Sequence, residues 1–126
     1  MPTDAKITIE LPEGVSKEEI LKEIKNLIRL KKYEVDRGFN LLNDYDKRRA
    51  LKIAEFVENY LKKHYPKIKF KIRLEYDDFE DEINVRIIFK SKLSSDEWIK
   101  ILNEIDEAII KNFNRDERKK IYVVSI

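Results

Sequence analysis

Residues 67–90 read KIKFKIRLEYDDFEDEINVRIIFK, and this stretch decides the fold. Over residues 67–76 apolar side chains alternate with charged ones, and a similar alternation returns over residues 83–90. Alternation of this kind is typical of a strand with one buried and one solvated face. About six residues separate the two runs, so the stretch is predicted to form an antiparallel hairpin.

Helices are predicted on both sides of this hairpin. Downstream, Ser94 and Glu97 have the spacing of a capping box, which predicts a helix that begins near residue 95. Upstream, apolar residues recur every three or four positions over residues 47–63, which predicts an amphipathic helix that Pro66 ends. The hairpin is therefore expected to pack against at least two helices.

The two ends of the chain each add a predicted strand. Alternation over residues 6–11 predicts a first strand, and Ser16 with Glu19 caps a helix of about 18 residues after it. Residues 33–46 are predicted to be a connection with a short helix, because glycine, asparagine and aspartate interrupt the apolar pattern. Residues 121–126 predict a terminal strand that is apolar on both faces.

The resulting order, β-α-α-β-β-α-β, predicts a single α+β domain over residues 1–126. Its sheet is expected to be small, four-stranded and mostly antiparallel, with the helices packed on one face. This is a variant of the ferredoxin-like, split βαβ arrangement with an additional helix. An alternative interpretation makes residues 1–33 an arm that docks on another chain and leaves residues 44–126 as the core.

The composition excludes several classes of chemistry. The chain has 27 Lys and Arg against 25 Asp and Glu, a net charge of +2, so it lacks the overall field of a strongly basic nucleic-acid binder. The absence of cysteine excludes disulfides, thiolate nucleophiles and cysteine-based zinc sites. The single histidine, His64, cannot form a multi-histidine metal site within one chain.

Location and source are also predicted from composition. The chain shows no signal-peptide pattern and no apolar run of the length that a membrane-spanning helix needs, so a cytoplasmic location is expected. Abundant Lys and Glu together with the absence of Gln and Cys predict a thermophilic source.

The charges around the hairpin are segregated. Six basic residues and no acidic ones lie between residues 62 and 73, whereas six acidic residues and no basic ones lie between residues 75 and 82. One interpretation is a sheet face that follows nucleic-acid phosphates. The other is a solvated face whose lysines keep the sheet soluble. The candidate phosphate contacts are Lys67, Lys69, Lys71, Arg73, Arg86 and Lys90.

The acidic half raises the hypothesis of a metal-dependent hydrolase. The segment lacks the glycine and the 12-residue span of a calcium loop, and a short turn directs its carboxylates apart, so no metal site is predicted. A solvated turn, or a contact with the basic strand of a second copy, is the preferred interpretation. Only Gly14 and Gly38 are available for phosphate-binding loops, and no cofactor is expected. The acidic residues concerned are Asp77, Asp78, Glu80, Asp81 and Glu82.

The last strand predicts self-association. It is apolar on both faces, but the predicted helices can cover only one face of a small sheet. A homodimer would bury the other face, since closed twofold dimers are the commonest oligomers. The candidate interface residues are Ile88, Tyr122, Val124 and Ile126.

Taken together, these patterns predict a non-enzymatic binding or regulatory module that self-associates and contacts a protein partner. The alternative is a nucleic-acid-binding protein that uses the basic hairpin face for phosphate contacts. The two differ in salt dependence, because phosphate neutralisation gives a steep dependence and an apolar interface does not.

Overall fold

Five helices and four strands lie in residues 16–30 and 32–125, the part of the chain that the computed structural model describes. The side chains of residue 23 and of residues 25–30 are not described. In chain order the elements are α1 (Lys17–Leu30), β1 (Glu34–Val35), α2 (Arg37–Asn40), α3 (Asp44–His64), β2 (Phe70–Asp77), β3 (Glu82–Phe89), α4 (Ser95–Asn112), α5 (Arg115–Arg118) and β4 (Ile121–Ser125).

The four strands form one sheet in the order β1-β2-β3-β4. The predicted hairpin is confirmed, because β2 and β3 pair antiparallel from Phe70 opposite Phe89 to Asp77 opposite Glu82. The mostly antiparallel, ferredoxin-like arrangement is not confirmed, since β1 runs parallel to β2 and β3 runs parallel to β4. In a split βαβ unit a third strand separates the two parallel strands, whereas here they are direct neighbours.

The two faces of the sheet differ sharply. The inner face carries the apolar positions of the hairpin, among them Ile72, Leu74 and Val85, and these are buried in one core with α3 and α4. The outer face carries the alternate positions, which are exposed or half-buried, and no described helix covers them. The central outer-face positions are Lys71, Arg73, Glu75, Asn84, Arg86, Ile88, Tyr122 and Val124.

The main helices begin where their capping residues place them. The amide of Glu97 donates to the Ser94 hydroxyl at 3.2 Å, as the predicted cap requires. Helix α3 begins earlier than its apolar periodicity predicts, because the Asn43 side chain accepts a hydrogen bond from the Asp46 amide at 2.7 Å. That cap adds a polar first turn to the helix.

The connection over residues 33–46 contains the predicted short helix, α2, and also strand β1. Asp36 caps α2 by accepting from the Phe39 amide at 2.8 Å, and the same oxygen accepts from the Tyr76 amide of β2 at 3.3 Å. At Gly38 a Cβ atom would lie 2.8 Å from the Tyr76 carbonyl oxygen, so this close approach requires glycine. Phe39 is fully buried, and α2 is thereby fixed against β2.

A buried arginine fixes the chain that leads into β4. Arg49 of α3 donates through Nη1 to the carbonyl oxygens of Asp116 at 3.0 Å and Lys119 at 2.7 Å. Its Nη2 lies 2.8 Å from Oδ1 of Asp46. Because these contacts join α3 to α5, they set the position at which β4 begins.

Two sequence predictions lie outside the described residues, namely the strand over residues 6–11 and the interface residue Ile126. The predicted helix after Ser16 is present as α1, and the Glu19 amide donates to the Ser16 hydroxyl at 3.1 Å.

None of the helices in the described residues is long and apolar enough to cross a membrane.

Candidate functional site

Five of the six candidate phosphate contacts lie on the outer side of the sheet. Lys71, Arg73 and Arg86 lie on the outer face of the hairpin. Lys69 and Lys90 continue that face past the strand ends, where the Lys90 amide donates to the Lys69 carbonyl at 2.7 Å. Lys67 differs from the prediction, because it lies in a turn before β2, closed by a hydrogen bond from the Ile68 amide to the Tyr65 carbonyl.

Two carboxylates form ion pairs with three of these six basic residues. Oε1 of Glu75 lies 2.7 Å from Nε of Arg86, and its Oε2 lies 3.4 Å from Nε of Arg73. At the edge of the face, Nζ of Lys71 lies 2.7 Å from Oε1 of Glu34, and this hydrogen bond lowers the pKa of Glu34. Sequence analysis did not include Glu34 or Glu75 in the site. The centre of the outer face is therefore an ion-pair network and not a uniformly basic surface.

The predicted interface residues form a strip along one margin of the outer face. In the register of β3 with β4, Asn84 is opposite Tyr122 and Arg86 is opposite Val124. Ile88 follows on the same face of β3. The side chain of Tyr122 is 49% exposed. We call this set of three residues the β4 strip: Ile88, Tyr122 and Val124.

The acidic tip of the hairpin is a tight turn. It has four residues between the strands, fewer than predicted, and Asp77 Oδ1 accepts from the Phe79 amide at 3.0 Å. Asp81 lies 2.7 Å from Nζ of Lys120 and accepts from the Tyr76 hydroxyl at 2.8 Å. These contacts lower the pKa of Asp81, with the Lys120 hydrogen bond as the largest cause. Among the described residues, no three acidic or histidine side chains are grouped so that they could hold a metal ion.

Strand β4 leaves one of its edges open. The Ile83 amide donates to the Lys120 carbonyl at 2.7 Å. Because backbone groups alternate in direction along a strand, the amides and carbonyls of the even-numbered residues of β4 point toward β3. The amides and carbonyls of Ile121, Val123 and Ser125 therefore point to the opposite edge. No strand pairs with that edge in the described part of the chain.

A groove of about 910 Å³ runs beside this open edge, between β4, α4 and α5. Arg115 and Arg118 line one part of it, and Asp106 and Ile110 of α4 line another. Partial burial raises the pKa of Asp106, and Ile110 remains 60% exposed. Sequence analysis missed the groove. One signal was available, because Ile110 is apolar but lies off the core-facing stripe of α4.

The single histidine contacts a tyrosine of its own helix, α3, next to a contact between α3 and α4. The ring of His64 lies 4.3 Å from the ring of Tyr60, centroid to centroid. The hydroxyls of Tyr60 and Tyr65 both donate to Glu104 of α4. The hydrogen bond to Glu104, followed by burial, raises the pKa of Tyr65 to about 12. This cluster joins the end of α3 to α4.

Comparison with known proteins finds one informative similarity. The chain is 42% identical over 76 residues to an uncharacterized protein of Methanocaldococcus jannaschii, a match that covers 58% of this chain and 53% of the other. The chain therefore spans about half the length of the curated relative it matches. No family model matches, and no solved structure matches. An archaeal relative is in keeping with the thermophilic source that the composition predicts.

Proposed function

We propose that the protein is a cytoplasmic, non-enzymatic binding or regulatory module that self-associates and contacts a protein partner. The observation that supports this proposal is the contrast between the two faces of the sheet. Helices α3 and α4 bury the inner face, whereas the outer face carries the β4 strip with no described element over it. Exposed apolar surface of this kind commonly marks an interaction site.

The β4 strip supplies part of the energy that a dimer needs. Complete burial of a side chain of this size contributes about 1.5–3 kcal/mol, and about half of that gain remains for side chains that are already half-buried. Six such side chains, three from each copy, then contribute on the order of 6 kcal/mol. Association itself costs about 4–15 kcal/mol. The strip therefore needs further contacts to support a stable dimer.

The charged part of the outer face is suited to orienting a protein partner. Lys69 and Lys90 lie at one end of the hairpin and the acidic turn lies at the other, with the Glu75 network between them. A partner with the opposite arrangement of charge would bind in a single orientation. Charge patterns of this kind contribute mainly to specificity and association rate.

Sedimentation equilibrium of the full chain tests self-association. We expect a dimer for the native chain and a monomer for Tyr122→Asp, because the substitution places a charge within the β4 strip. Leu41→Asp is the matched control, since Leu41 is an exposed apolar residue beside α2, away from the strip, and its variant should remain dimeric. Circular dichroism checks that both variants are folded. A native chain that stays monomeric at high micromolar concentration would contradict the proposal.

Nucleic-acid binding is the second candidate, and one observation favours it. Lys67, Lys69 and Lys90 form no ion pair within 4.0 Å among the described residues, and all three lie toward one end of the hairpin. Contacts from three lysines to duplex DNA would give a slope of about −3 for log affinity against log salt. We would measure fluorescence anisotropy with duplex DNA and single-stranded RNA between about 50 and 300 mM salt.

The variant pair Lys69→Glu with Lys90→Glu should abolish this binding. Lys63→Glu, an exposed change on α3, is the control that should retain it. No binding by the native chain at the lowest salt concentration would rule out this second candidate.

A further inference from the structure

We infer that the open edge of β4 pairs antiparallel with β4 of a second copy, so that two four-stranded sheets continue as one of eight strands. This inference rests on the self-association proposed above and places it at the edge of the sheet, where the β4 strips of the two copies meet side by side and keep their outer surfaces open. Its starting point is the row of backbone groups on Ile121, Val123 and Ser125 that no described strand pairs with.

The chemistry of β4 favours pairing at this edge. Natural proteins commonly protect an edge strand with a charged residue, a proline or a very short length. The five residues of β4, IYVVS, include no charged residue and no proline. The opposite edge of the sheet, β1, has only two residues and carries Glu34 in an ion pair with Lys71. Of the two edges of the sheet in the described residues, β4 is therefore the one suited to strand addition.

One register gives the longest pairing. With the twofold axis at Val123, that residue is opposite its own counterpart and Ile121 is opposite Ser125 of the second copy. These positions have their backbone groups on the open edge, so about six hydrogen bonds form between the copies. Tyr122 then lies opposite Val124 of the second copy on the outer face, an aromatic and β-branched pair that stabilises adjacent strands. The β4 strips of both copies become continuous in this register.

The surface of α4, which lines the groove through Asp106 and Ile110, supports a second copy beside it. Ile99, Asn103, Asp106 and Ile110 follow one another at helical spacing and form a single stripe. Ile99 is 47% exposed and Ile110 is 60% exposed. An antiparallel neighbour brings Ile99 toward Ile110 of the second copy and the Asn103 amide toward its Asp106 carboxylate. The stripe is thus complementary to itself, as a twofold interface requires.

Disulfide cross-linking tests the register directly, because the chain has no cysteine of its own. In the double variant Tyr122→Cys with Val124→Cys, each new thiol faces a thiol of the second copy at a separation that suits a disulfide. We expect mild oxidation to convert most of this variant to a covalent dimer on a non-reducing gel. Each single variant should cross-link at least tenfold less, since its cysteine faces the native valine or tyrosine.

A proline substitution supplies the second measurement. Val123→Pro removes an amide from the open edge while leaving the hydrogen bonds between β3 and β4 in place. We expect this variant to be folded by circular dichroism and monomeric by sedimentation. A folded Val123→Pro variant that still dimerises would overturn the inference.

The outcomes separate this inference from the proposed function. A native dimer whose double-cysteine variant does not cross-link would overturn edge pairing and leave self-association intact. Single variants that cross-link as well as the double variant would indicate another register and would also overturn it. A monomeric native chain would overturn both proposals.

Discussion

The two faces of the sheet come from the same strands but are held by different forces. On β2, Leu74 points to the inner face and is fully buried, whereas its neighbour Arg73 points to the outer face and pairs with Glu75. Burial of a leucine contributes several times more to stability than an exposed ion pair, which is worth about 0–1 kcal/mol. The inner face therefore determines the stability of the fold, and the outer face is available for binding.

The largest expected change in the free energy of unfolding comes from comparing two adjacent residues of β2, one on each face of the sheet. Leu74→Ala should lower the free energy of unfolding by about 3–4 kcal/mol, because it removes buried methyl groups and leaves a cavity. Arg73→Ala, one position away on the outer face, should lower it by less than about 1 kcal/mol. Urea unfolding of both variants provides the measurement. Equal losses would show that the outer face carries more of the stability than its contacts suggest.

The next effect concerns the arginine that positions β4. Arg49→Met should lower the free energy of unfolding by about 1–2 kcal/mol, because the carbonyls of Asp116 and Lys119 lose their donor in a partly buried place. Hydrogen exchange at the Ile83 amide, which donates to the Lys120 carbonyl, should also accelerate. Arg48→Met, an exposed change on the same helix, is the control. If exchange at the Ile83 amide were unchanged in Arg49→Met, Arg49 would not be needed to hold β4 in position.

Much of the contrast between the inner and outer faces could be predicted from the sequence, because it depends on the local spacing of apolar residues. Alternation at period two identified the inner and outer positions of the hairpin, and spacing of three and four identified α3 and α4. The cap at Ser94 followed from a short-range pattern that needs no tertiary information. These features depend on neighbouring residues alone.

The sheet order depends on distant residues, and local patterns do not report it. Strand β1 has only two residues, Glu34 and Val35, too few to show alternation, and it pairs with Arg73 and Leu74 far along the chain. Whether two strands run parallel is set by how the intervening helices cross the sheet. The same holds for Arg49, whose acceptors lie 67 and 70 residues away. Its position on α3 is predictable, but its partners are not.

A smaller effect on stability is expected at the centre of the outer face. Glu75→Gln removes the carboxylate that Arg73 and Arg86 share, yet the free energy of unfolding should fall by no more than about 1 kcal/mol. The same variant frees two guanidinium groups, so it should strengthen any binding to nucleic acid, measured by anisotropy at low salt. Glu80→Gln in the exposed turn is the control. If Glu75→Gln lowered the free energy of unfolding as much as Leu74→Ala does, the inner face would not be the main source of stability.

The smallest effect lies on the helix side and appears only at high pH. The hydrogen bond to Glu104, followed by burial, raises the pKa of Tyr65 from 10.0 to about 12. Because the folded-state pKa lies above the unfolded one, the stabilisation is present below pH 10 and is lost as the pH rises through about 12. Absorbance at 295 nm should show one phenol fewer ionising near pH 12 in Tyr65→Phe than in the native chain. Tyr45→Phe, an exposed change away from Glu104, should keep that phase. An unchanged titration in Tyr65→Phe would mean that Glu104 does not join α3 to α4 through this hydroxyl, and the polar contact between the two helices would then rest on the Tyr60 hydroxyl.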